Sequence, residues 1–120
     1  MELTSKSLKN FLELHFKKNI IDITEEEINS LDFISLKFFK EDTNCFEELK
    51  KFKKLNTICI DSFNISKDEL MVINELNIRS ITFNNCNLTD LNMMSFDNVN
   101  ELSLINCSAI NYEFLKNISY

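Results

Sequence analysis

The stretch Ile78-Arg79-Ser80-Ile81-Thr82-Phe83-Asn84-Asn85-Cys86-Asn87-Leu88 decides how the rest of the chain is read. Apolar residues stand at its first, fourth, sixth and eleventh places, and a cysteine stands at the ninth. Val99 to Cys107 repeats the spacing as V-N-E-L-S-L-I-N-C, with Ala109 or Ile110 closing the unit. Leu55, Ile58, Ile60 and Ile65 carry it earlier, with Phe63 in the ninth place. A fainter copy begins at Phe33, with Leu36 and Phe38 following. The fourth-place residues Leu36, Ile58, Ile81 and Leu102 are 22, 23 and 21 positions apart. One such unit cannot bury its apolar face alone, but units at near-constant spacing can do so by stacking.

The pattern resembles the leucine-rich repeat L-x-x-L-x-L-x-x-N/C-x-L, whose period is about 20–29 residues. The resemblance covers roughly residues 31–118. It implies an α/β fold: a short right-handed leucine-rich-repeat solenoid with a parallel concave sheet and convex helices. Residues 1–30 would supply an N-terminal capping helix and an irregular first unit, and residues 31–120 the repeats, within a single structural domain. In that family the ninth residue points inward and satisfies turning backbone groups. Cys86 and Cys107 match the place, and Phe63 departs from it.

The local signals alternate in the same way. Residues 4–18 are predicted as a helix, with Leu8, Phe11, Leu12 and His15 or Phe16 on one stripe and Thr4 or Ser5 as N-cap. The stripe is expected to cover the exposed end of the core, as terminal repeats require. The Ile20, Ile21 and Ile23 run is read as a first, irregular strand. Thr24 with Glu27, and Ser66 with Glu69, match capping boxes and predict helices after them. Phe33 to Phe38 is a strand facing Leu36 and Phe38 inward. Phe46, Leu49, Phe52 and Leu55, spaced by three, mark a helical or 3₁₀ stripe, with Glu47 and Lys51 pairing on the wet side. Strands follow at Thr57 to Asp61, Ser80 to Phe83 and Glu101 to Leu104. Helical stretches are expected at Ser66 to Leu76, Thr89 to Phe96 and Tyr112 to Ile118.

Composition narrows the function. Glycine and proline are both absent, so turns needing positive φ fall to asparagine or aspartate. P-loops, dinucleotide fingerprints and nucleophile elbows are excluded with them. Lysine, asparagine and isoleucine are heavily used while Ala109 and Arg79 stand alone in their types, the usage of an AT-rich genome. The net charge of -6 opposes direct nucleic-acid binding and favours a basic partner surface. No apolar run approaches the roughly 20 residues that span a bilayer. Met1 to Lys9 lacks a hydrophobic signal core, so a cytoplasmic protein is expected. The four cysteines then read as reduced thiols; no C-x-x-C pair suggests zinc. The single histidine, His15, reads as a packing residue. No metal, no cofactor and no enzymatic activity is expected.

What remains for function is the outward side of the strands. The registers place Ser35, Lys37, Phe39 and Lys40 there from the first unit, and Asn56, Thr57, Cys59, Asp61 and Ser62 from the second. Arg79, Ser80, Thr82, Asn84 and Asn85 follow from the third. Asn100, Glu101, Ser103, Ile105 and Asn106 come from the fourth. Of these, Lys37, Phe39, Asn56, Cys59, Asp61, Arg79, Thr82, Asn84, Asn85, Glu101, Ser103 and Ile105 are the candidate partner-binding residues. Phe39, Arg79 and Ile105 stand out as interface anchors, since exposed aromatic and arginine side chains carry much binding energy. Arg79 has the alternative of pairing with Asp61 or Glu101.

Three functional readings follow. The first is a protein–protein binding module, as the resemblance implies. The second is a small acidic antagonist of the phage anti-defence, anti-CRISPR or toxin-immunity type, blocking a basic nucleic-acid-binding or catalytic surface. The third is a hydrolase or thiol redox protein using Cys59 or the carboxylates. Separately, the strand at Glu101 to Leu104 is expected to be an open edge, partly shielded by Tyr112 to Tyr120, and a thin shield would permit a homodimer.

Overall fold

The computed structural model describes residues 3–38, 45–88 and 99–109. Helix α1 (Lys6–Phe16) starts at Ser5, whose hydroxyl accepts from Leu8 N at 3.2 Å, and ends at Lys17 in the left-handed conformation. Helix α2 (Glu25–Ser30) follows the capping box: Thr24 and Glu27 each bond the other's backbone N–H. Strand β1 (Phe33–Lys37), the short helix α3 (Cys45–Glu48) and a 3₁₀ turn at Leu49–Lys51 come next. Strands β2 (Thr57–Asp61) and β3 (Asn64–Ile65) lead into α4 (Lys67–Glu75), opened by the Ser66–Glu69 box. Strands β4 (Ser80–Asn84), β5 (Asn87–Leu88), β6 (Glu101–Ile105) and β7 (Ser108–Ala109) complete the described chain.

The architecture is mixed α/β around a four-stranded parallel sheet in the order β1-β2-β4-β6. A crossover returns the chain to the same end before each new strand, as parallel pairing demands. Ile34, Ile58, Ile81 and Leu102 lie side by side, as do Leu36, Ile60, Phe83 and Leu104. These rows face inward. The first three members of each are 1% exposed or less, and Leu70, Ile73, Phe46 and Leu49 pack with them. A second parallel sheet, β3-β5-β7, pairs Ile65 with Leu88 and Leu88 with Ala109. Ala109 thus stands in register with Leu88, the eleventh-place residue of the preceding unit.

The turns between the two sheets are built alike. Ser62, Asn85 and Asn106, each one residue past its strand, take φ of 68°, 56° and 51°. In the last two turns the following cysteine ties the backbone: Cys86 Sγ donates to Ile60 O and Asn84 O, and Cys107 Sγ to Phe83 O and Ile105 O. Burial pushes the Cys86 thiol pKa up, which keeps it a neutral donor. Phe63 takes this place in the first turn and is buried against Phe38 and Phe46, at ring distances of 5.5 and 5.3 Å.

Several expectations need correction. The first unit's register is shifted by two: Leu31, Ile34 and Leu36 occupy the places assigned to Phe33, Leu36 and Phe38. Leu36 therefore faces Ile60, not Ile58. Phe38 lies past the strand and is 47% exposed. The Ile20, Ile21 and Ile23 run is no strand. Ile20–Asp22 form a 3₁₀ turn with Ile21 exposed and Ile23 buried. The reason is competition for the sheet edge: α1 lies along β1, and Ser7 Oγ donates to Lys37 O at 2.9 Å. Glu47 pairs with Lys50 instead of Lys51, and Lys51 turns to Glu48. The helical stretches expected at Thr89 to Phe96 and Tyr112 to Ile118 lie outside the described residues.

One anchor was not anticipated. Glu48 is buried at 6% exposure, and its carboxylate accepts from Thr4 N at 2.9 Å, Ser5 N at 2.6 Å and Thr4 Oγ1 at 3.3 Å. It thereby holds the start of α1 against α3.

Candidate functional site

Strand alternation sends every second residue of the sheet away from the core. In-register pairing then arranges those residues in rows, about 4.8 Å from strand to strand. The first row is Phe33, Thr57, Ser80 and Glu101; the second is Ser35, Cys59, Thr82 and Ser103; the third is Lys37, Asp61, Asn84 and Ile105. All are half-buried or exposed. Thr57, Cys59, Ser80 and Thr82 make the centre a floor of short side chains, and the longer ones stand at the two edge strands.

The predicted residues divide by position. Cys59, Thr82 and Ser103 lie in the middle row, Glu101 in the first, and Lys37, Asp61, Asn84 and Ile105 in the third. Asn56 and Arg79 sit at the rim before the strands, where Arg79 N donates to Asn56 O at 2.8 Å and Asn100 N to Arg79 O at 2.7 Å. Asn85 sits at the opposite rim, its N–H bonded to Ile105 O. Phe39 lies outside the described residues. The structure therefore brings the other eleven candidates onto one face and its two rims.

The electrostatics of the face are mixed. Lys37 and Arg79 oppose Asp61 and Glu101 in sign. Arg79 pairs with neither carboxylate, so the alternative given to it is not realised, and neither cation has an ion pair among the described residues. Asp61 accepts from the Ser62 hydroxyl at 2.9 Å, and Asn56 Oδ1 from Thr57 Oγ1 at 2.9 Å. The acidic excess lies elsewhere, as at the exposed Glu25 and Glu26 of α2.

Sequence reasoning missed Phe33. Its ring is 40% exposed at the β1 edge of the first row and meets Phe11 edge-on at 6.0 Å; Phe11 in turn stacks on His15 at 5.5 Å. The signal was present: Ile34 and Leu36 alternate with Ser35, which sets Phe33 on the outward side. Phe38, exposed beside the third row, was missed for the same register error.

Such a face offers hydroxyls, amides and a thiol for hydrogen bonding, two cations without ion pairs among the described residues, and an aromatic edge. Cys59 has Ser35 and Thr82 as its row neighbours, so no base adjoins it within the row. Among the described residues no helix is long and apolar enough to cross a membrane. Searches of family models, curated proteins and solved structures return no significant match.

Proposed function

We propose that this chain is a short leucine-rich-repeat-type solenoid and a non-enzymatic binding module, gripping another protein through the outward rows of its four-stranded sheet. The supporting observation is the register. Four parallel strands set short polar side chains in aligned rows, with Phe33 and Ile105 at the edge strands and Arg79 and Lys37 without ion pairs among the described residues. Aromatic and arginine side chains, here Phe33 and Arg79, are the types enriched at protein-contact surfaces. The hydrogen-bonding groups of the floor suit a polar backbone or side-chain surface on the partner.

The test is affinity capture from the native host with paired variants. Thr82→Lys and Arg79→Glu alter the face, and Glu26→Lys alters an exposed position of α2 outside its rows. A protein held by wild type and Glu26→Lys but lost by both face variants supports the reading. Equal capture by all of them overturns it. Salt separates this reading from the acidic antagonist: mixed charges on the face predict a shallow dependence, whereas occlusion of a basic site through the acidic excess predicts a steep one.

A further inference from the structure

The two ends of the sheet are finished differently. At β1 the helix α1 lies along the edge and supplies the Ser7 hydroxyl to Lys37 O. At β6, among the described residues, no strand pairs with the outer edge. Leu102 and Leu104 face the core there, yet they are only half-buried, whereas Ile58, Ile60, Ile81 and Phe83 in the same rows are 1% exposed or less. Ile105, on the other face, is 48% exposed. The strand reads Glu101-Leu102-Ser103-Leu104-Ile105 and pairs with β4 along its whole length without a bulge. It carries no proline, no lysine and no inward charge, the usual devices that keep an edge strand single.

We infer that β6 is a self-association edge that takes β6 of a second copy of this chain, antiparallel, about a two-fold axis passing beside Ser103. A two-fold pairing of one strand with itself is antiparallel by symmetry. Centred on Ser103, it sets Ser103 against its own copy, Leu102 against the copy's Leu104 and Glu101 against the copy's Ile105. Each half-buried leucine then meets a leucine on the core side. The two Glu101 carboxylates lie apart at opposite ends of the pair. A centre at Leu102 would set Leu104 against the polar Asn100, and a one-residue slip would set leucine against serine. The sequence of β6 is therefore complementary to itself in one register. Both copies present their outward rows on the same side, so the pairing doubles the open face. It does not depend on the binding role assigned to that face.

Sedimentation of the full chain over a concentration series tests the inference. The expected mass rises from the 14.1 kDa monomer to twice that value. Ser103→Lys, an exposed substitution that sets like charges opposite each other, returns the protein to monomer, with the melting temperature of wild type diluted to monomer. Ser103→Cys gives a covalent dimer on mild oxidation, and the peptide map shows the two copies joined to each other through position 103. The reason is that directly opposed antiparallel residues lie about 4.5–5.5 Å apart at Cα, within reach of a disulfide. Glu101→Cys alone gives no such self-linked peptide. A chain monomeric at every concentration, or a dimer in which position 103 does not crosslink, overturns the proposal.

Discussion

Ser62, Asn85 and Asn106 turn the chain three times without a glycine. The left-handed conformation costs an ordinary residue about 1–2 kcal/mol, and asparagine less. Serine is the poor choice of the three. Ser62→Gly is expected to stabilise the protein by about 0.5–1 kcal/mol, the relief of strain exceeding the added backbone entropy of glycine. Asn85→Ala is expected to destabilise it by about 1 kcal/mol. Urea denaturation measures both. The asparagine turns were legible because, without glycine, few residue types tolerate positive φ. Ser62 was not, since nothing in its type marks it.

At the scale of elements, local chemistry was the most readable. The Thr24–Glu27 and Ser66–Glu69 boxes satisfy their own helix starts, so sequence neighbours suffice to predict them. The Phe33 unit was misread because Phe-x-x-Leu-x-Phe fits the spacing as well as Leu31-x-x-Ile34-x-Leu36 does. Only pairing with β2 chooses between them. Ile20–Ile23 failed as a strand for an equally non-local reason, the occupation of the β1 edge by α1. Glu48 shows the same limit, since its donors lie more than forty residues upstream. Glu48→Gln is expected to cost about 1–3 kcal/mol, because an amide nitrogen in the Oε2 place would face the Thr4 N–H and the bond to Ser5 N would lose its charge assistance. Urea unfolding gives the loss, and faster amide exchange confined first to α1 identifies its place. The cap of α2 adds a pH dependence. Bonds from the Thr24 backbone and then the Lys18 ammonium lower the pKa of Glu27. A lowered carboxyl stabilises the fold above its ordinary range and loses that contribution as pH falls through the folded value. Wild type should therefore melt higher than Glu27→Gln at neutral pH, and the two curves should converge in acid.

Across the whole molecule, burial grades from the middle of the sheet to one end. β2 and β4 have a strand on either side and fully buried inward residues, whereas Leu102 and Leu104 of β6 do not reach that state. Amides of β4 that bond to β2 are expected to exchange at least about tenfold more slowly than those of β6 at low protein concentration. Mass-spectrometric hydrogen exchange checks the order. The parallel sheet itself was legible from the recurring apolar places. The second sheet was not, since two-residue strands such as Asn64–Ile65 carry too little pattern to announce themselves.

The strict alternation of inward and outward residues in β2 and β4 has one more implication. Thermal robustness resides in Ile58, Ile60, Ile81 and Phe83, and molecular discrimination would reside in Thr57, Cys59, Ser80 and Thr82 between them. Selection, or a designer, could rewrite the second group wholesale and retarget the protein while its scaffold persisted unaltered beneath.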